Sequence, residues 1–252
     1  MNLMQRRGRG GVTAMAAMLV FVSACGGSGE QTVRSPANVP AQADTTTSLP
    51  GEDFDAWPQP GDTLGVVGIA FDEELSVRAG PGSGEVEVAT LPPLADVVAT
   101  GEARIIASDG LWFEITTAGT TGWADGTSLL YIGATTDATT QVEADIGSTP
   151  TAPTMLELGR IVADSIASTG EVTSRVVVVV APTGGTADEV TYDVVGFPDD
   201  SVFGARLRIT GQQTEGDGLP RAGFRRALVY ELVSVESTAL CGRGVTSGGL
   251  CV

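Results

Sequence analysis

The sequence predicts a multi-domain chain: an all-β domain over residues 61–132, then a small α+β domain over 154–252. Three observations point that way. Short apolar–polar alternations between Leu64 and Ile132 are broken by Gly- and Pro-containing turns, the pattern of half-buried strands. A Thr-, Ala- and Pro-containing stretch, 133–153, has few residues that could fill a core and reads as an interdomain linker. Beyond it come one helical period and then about four strand-like runs, taken as antiparallel.

Taken in order, the chain opens with Arg6, Arg7 and Arg9 ahead of an uncharged apolar stretch, Val12–Val22. That stretch is shorter than the ~20 residues a bilayer span needs, so residues 1–24 read as a signal peptide. The following Val22-Ser23-Ala24-Cys25 with Gly26-Gly27 is similar to the lipobox of bacterial lipoproteins. The resemblance implies lipidation of Cys25 and anchoring on the outer face of the bacterial cell membrane. Residues 25–60 are rich in Gly, Ser, Thr, Pro and acidic side chains and read as a disordered tether, with Phe54 and Trp57 able to fold back on the next domain.

In the first domain, Leu64–Phe71 and Leu75–Arg78 are expected strands, the second stopped by Gly80-Pro81-Gly82. Val86–Leu91 follows, with Val86 and Val88 inward. Asp96–Ala107 reads as two strands or one bent strand. Leu111–Thr117 and Thr121–Ala124 flank a hairpin turn at Ala118-Gly119-Thr120, and Leu129–Ile132 closes the domain. Several blocks here resemble the bacterial SH3-like family: Leu75, Val77, Arg78, Gly80, Pro81 and Gly82; Leu91-Pro92; Gly110, Trp112 and Ile115; and Gly122, Trp123 and Leu130. The resemblance implies a small β-barrel and contact with cell-wall peptide or glycan, with Arg78, Trp112 and Trp123 as candidate ligand-binding residues. On the residues alone, both tryptophans read first as filling the barrel core.

In the second domain, Thr154 and Glu157 have the spacing of a capping box ahead of Leu158, Ile161, Val162 and Ile166. Val172–Ala181, with valine unbroken from 176 to 180, reads as a central strand covered on both faces. Val190–Val195, Phe203–Thr210 and Phe224–Val235 complete the set. Arg206, Arg208, Arg225 and Arg226 form a candidate basic surface for an acidic partner, or else solvated edges paired with nearby acids. Cys241 and Cys251 are expected to pair in an oxidising compartment.

The composition narrows the function. The net charge is −17, and removal of the three leader arginines takes it to −20, which disfavours nucleic acid as a partner. All 14 basic residues are arginine. The absence of histidine and lysine removes the commonest general base, the commonest zinc ligand and Schiff-base chemistry. The sequence therefore predicts no catalytic residue, metal or cofactor. It predicts an exported lipoprotein that binds or senses an envelope component through its first domain. The alternative is an adaptor that binds an envelope protein through its α+β domain.

Overall fold

In the computed structural model, described for residues 48–167, 173–216 and 227–252, thirteen strands share one sheet, whose main path runs β10-β11-β12-β13-β8-β2-β5-β6-β7-β3-β4. The first eight strands are β1 (Glu52–Asp53), β2 (Thr63–Val66), β3 (Leu75–Arg78), β4 (Glu87–Leu91), β5 (Asp96–Ile106), β6 (Gly110–Thr117), β7 (Thr120–Asp125) and β8 (Leu129–Asp137), with a 3-10 turn at Gly126–Ser128 before the last. Helix α1 (Thr139–Ile146), β9 (Thr151–Ala152) and helix α2 (Met155–Ile166) follow. Then come β10 (Arg175–Val180), β11 (Ala187–Val195), β12 (Val202–Glu215) and β13 (Leu228–Cys241). Off the main path, β1 pairs with β5 and β9 with β13. Every strand pairing is antiparallel.

Local chemistry accounts for several elements. The β6–β7 hairpin closes through Ala118 (φ 45°) and Gly119 (φ 84°), the two positive-φ residues of a two-residue turn, with Thr117 opposite Thr120. Strand β5 bends where its register with β6 shifts between Ala99 and Ala103. At Gly122 a Cβ would lie 2.7 Å from the Arg78 carbonyl oxygen, so only glycine lets β7 reach β3 beside Trp123. The Thr154 hydroxyl accepts the Glu157 N–H at 3.1 Å and donates to the Glu157 carboxylate at 3.0 Å, capping α2. Leu158, Gly159, Val162 and Ala163 of α2 are buried, whereas Ile161 points outward.

The two-domain expectation is corrected by β8. Instead of closing a small barrel near Ile132, β8 runs on to Asp137. It gives Gly65 and Val66 of β2 its first residues, Leu129 and Leu130, and pairs with β13 through the rest. One strand thus belongs to both halves, so neither a separate SH3-like barrel nor a separable α+β domain exists. The expected linker 133–153 consists of the end of β8, α1 and β9. Threonine, being β-branched, can serve a strand as readily as a spacer, and Thr135 hydrogen-bonds Thr238 across the β8–β13 pair at 2.7 Å.

Other expectations shift as well. Val86 and Val88 face outward at the β4 end of the main path, while Leu91 is buried. The valine run forms β10, the opposite end of that path, and pairs with β11 alone. Its outer side is met by the β2–β3 connection, where the Phe71 N–H donates to the Val178 carbonyl at 3.0 Å. Residues 48–60, read as tether, are ordered: Phe54 N–H donates to the Ala103 carbonyl, and Phe54 and Trp57 pack edge to face with ring centroids 4.8 Å apart. The signal peptide, the lipobox and Cys25 lie outside the described residues.

The apolar side chains divide into two large clusters and a small one. Helix α2 covers β11–β13 through Leu158 and Val162 against Val190, Leu207 and Ile209. The curled β2–β8 region encloses Val66, Val77, Phe113 and Ile115. Val67, Leu130, Val195 and Leu240 form the third cluster at the seam between them.

Candidate functional site

A cleft of about 410 Å³ opens along that seam. Leu111 and Phe113 of β6, with Leu129 and Leu130 of β8, line it from the curled half. Val195 of β11 and Phe203 of β12 line it from the helix-covered half, and Trp57 borders both. The elements dictate this arrangement. β6 turns the alternate residues Leu111 and Phe113 toward the cleft, and the adjacent Leu129 and Leu130 sit where β8 passes from one half to the other. Trp57 is held by its edge-to-face contact with Phe54 and by the Arg243 guanidinium, 5.7 Å from its ring centroid. Arg243 is itself tied to Asp200 at 3.1 Å.

Arg175, the first residue of β10, is the one charged residue among the described residues that line this cleft. Its guanidinium donates one hydrogen bond, Nη1 to the Gly68 carbonyl at 2.7 Å, and makes no ion pair among the described residues. Gly68 has φ +64°, and a Cβ there would lie 2.6 Å from Arg175 Nη2, so glycine is what lets the guanidinium lie against the β2–β3 connection.

Two other depressions hold charged side chains of both signs. Beside Trp57, a cavity of about 420 Å³ contains Asp62, Asp96, Tyr131 and Arg243. There Asp62 accepts the Tyr131 hydroxyl at 2.5 Å and the Gln59 N–H at 2.8 Å. Burial, and next the bond to Asp62, push the Tyr131 phenol well above its ordinary pKa. A groove of about 400 Å³ beside Leu94 contains Arg208, which pairs with Glu189 at 2.7 Å and Glu236 at 3.2 Å.

The residues singled out from sequence are not brought together. Trp123 is 2% exposed and Trp112 5%, so both are core and neither offers an aromatic floor. Trp112 Nε1 donates to the Asp109 carbonyl at 3.0 Å. Arg78 donates to the Glu85 carbonyl at 2.8 Å, bracing the turn before β4. Arg206 faces inward onto Asp193, and only Arg208 of that pair is exposed. Arg225 and Arg226 lie outside the described residues. Cys241 and Cys251 form the expected disulfide. Among the described residues no group of three or more His, Cys, Asp or Glu side chains could hold a metal ion.

Sequence reasoning missed Arg175 and gave Trp57 only a packing role. A usable signal was present for the first: one arginine directly ahead of five valines is a charge that must find solvent, a partner or a ligand. No family model, curated protein or solved structure matches the chain. The envelope-binding reading is therefore corrected: its module is not a separate domain, its tryptophans are enclosed, and no family match supports it. The adaptor reading falls with the separable α+β domain on which it rested. The lipoprotein reading likewise gains no support from the comparisons and is set aside.

Proposed function

We propose that the protein is a binding protein and that the seam cleft takes a small, largely apolar molecule. The observation that carries this reading is the cleft itself. Small-ligand sites are concave and mostly apolar, with a few polar groups that fix orientation. Here aromatic and aliphatic side chains from both halves border about 410 Å³ of unfilled space, within the size range of small-ligand sites. Among the described residues the lining offers no carboxylate, thiol or imidazole to move a proton, which supports binding over turnover. The net charge of −17 disfavours nucleic acid as the partner. The Cys241–Cys251 bond supports residence in an oxidising compartment.

The test is fluorescence of N-phenyl-1-naphthylamine, a neutral apolar probe, with the full chain. Saturable enhancement at one probe per chain is expected. Thr127→Trp, which places a ring into the cleft from an exposed position, should weaken binding at least tenfold. Equal enhancement by wild type and this variant would count against the cleft.

A further inference from the structure

We infer that the cleft selects a ligand with one carboxylate head on an apolar body, and that Arg175 is the residue that reads the head. This rests on the cleft being the binding site.

The chain as a whole carries −17, so its general field repels anions, and selection of one requires a local cation. Arg175 supplies that cation at the cleft, without another charged side chain among the described lining residues. Five other arginines pair with acids: Arg104 with Asp53, Arg160 with Asp164, Arg206 with Asp193, Arg208 with Glu189 and Glu236, and Arg243 with Asp200; Arg78 bonds the Glu85 carbonyl and does not line the cleft. Among the described residues Arg175 bonds only the Gly68 carbonyl. A guanidinium carries five N–H donors in a planar fork, so one bond at Nη1 leaves donors for a carboxylate, whose two oxygens match the fork. The Gly68 contact also fixes the group. The close approach at positive φ lets the backbone hold Nη1, reducing the rotamer freedom that a ligand would otherwise have to freeze. Leu111, Phe113, Leu129, Val195 and Phe203 give the apolar body its surroundings, while Arg175, itself exposed, keeps the head near water.

The occupant this chemistry fits is a monocarboxylate amphiphile, such as a medium-chain fatty acid. A cationic amphiphile would face Arg175 with like charge, and a neutral alcohol would gain only an ordinary hydrogen bond.

The experiment displaces N-phenyl-1-naphthylamine from the full chain with decanoate, decanol or decylamine. Decanoate should displace the probe at a concentration at least tenfold lower than decanol, with decylamine weakest. Arg175→Gln should abolish the preference for decanoate over decanol, and a circular dichroism spectrum matching wild type shows that the variant folds. Equal potency of decanoate and decanol on wild type, or a preference that survives in Arg175→Gln, would overturn the inference and leave the cleft standing. No probe enhancement at all would overturn both.

Discussion

Asp193 and Arg206 face each other across the β11–β12 pair and join through two hydrogen bonds, Nε to Oδ1 at 2.7 Å and Nη2 to Oδ2 at 2.9 Å. The Asp193 side chain is fully buried. Its Oδ2 also accepts the Gly68 N–H at 2.8 Å, and Arg206 Nη2 donates to the Val66 carbonyl at 2.8 Å. This ion pair therefore fastens the end of β2 and its following loop onto the face of β11 and β12, holding the two walls of the cleft together. Removing one partner strands the other charge in the interior. Asp193→Ala should cost about 3–5 kcal/mol. Arg208→Gln, one strand repeat away on an exposed pair, should cost less than ~1 kcal/mol. Urea unfolding of both variants checks the contrast; similar losses would show that the buried pair is not the fastening.

Tyr131 makes a pH prediction of definite sign. Burial and the bond to Asp62 raise its pKa in the folded state above the unfolded value of about 10. The stability linked to this phenol is present below about pH 10 and declines as pH rises beyond it, because the unfolded chain releases the proton first. Stability measured from pH 8 to 11 should fall more steeply for wild type than for Tyr131→Phe. Parallel curves would contradict this.

The disulfide closes a loop of separation 10 and should contribute roughly 2.5–3 kcal/mol through the unfolded state. Gly242 and Arg243 follow Cys241 directly; the first lines the cleft and the second lies over Trp57. Replacing both cysteines by alanine should lower the urea midpoint. It should also weaken probe binding, since the segment behind Trp57 loses its tie. Unchanged probe affinity would show that Trp57 is held by Phe54 alone.

The tryptophans should separate stability from binding. Trp123→Ala empties a core position and should cost about 3–5 kcal/mol. Trp57→Ala removes a half-buried ring from the cleft border and should reduce probe affinity severalfold at a much smaller loss of stability. The reverse pattern would place the binding surface elsewhere.

What could be read from the chain was encoded within a few residues. Leu75–Arg78 forms a strand because its alternation and its Gly-Pro-Gly stop are adjacent. The Ala118-Gly119 turn and the Thr154 cap are equally local. The parity of β12 was legible too: Ala205, Leu207 and Ile209 face the helix side, with Arg206 and Arg208 opposite. What alternation cannot reveal is which distant segment lands on that opposite face. β2 covers Arg206 and stops short of Arg208, so one arginine became an internal fastening and the other a solvated pair. The valine run misled for the same reason. Its apolar character came from packing Val176 and Val178 toward the helix side and from shelter beneath the Phe71 connection, not from strands on both flanks. The continuity of β8 into β13 is a long-range pairing, invisible in a threonine-containing stretch that resembles a linker. The cleft lies along that seam, so the sequence could not show it either.

The most direct measurement is scanning calorimetry of the full chain with and without decanoate. A single sheet with the ligand held between its halves should unfold over residues 48–252 in one transition, and saturating ligand should move that whole transition upward. Two transitions from this region, or a midpoint that decanoate leaves unmoved, would contradict an account in which one continuous sheet builds one binding cleft.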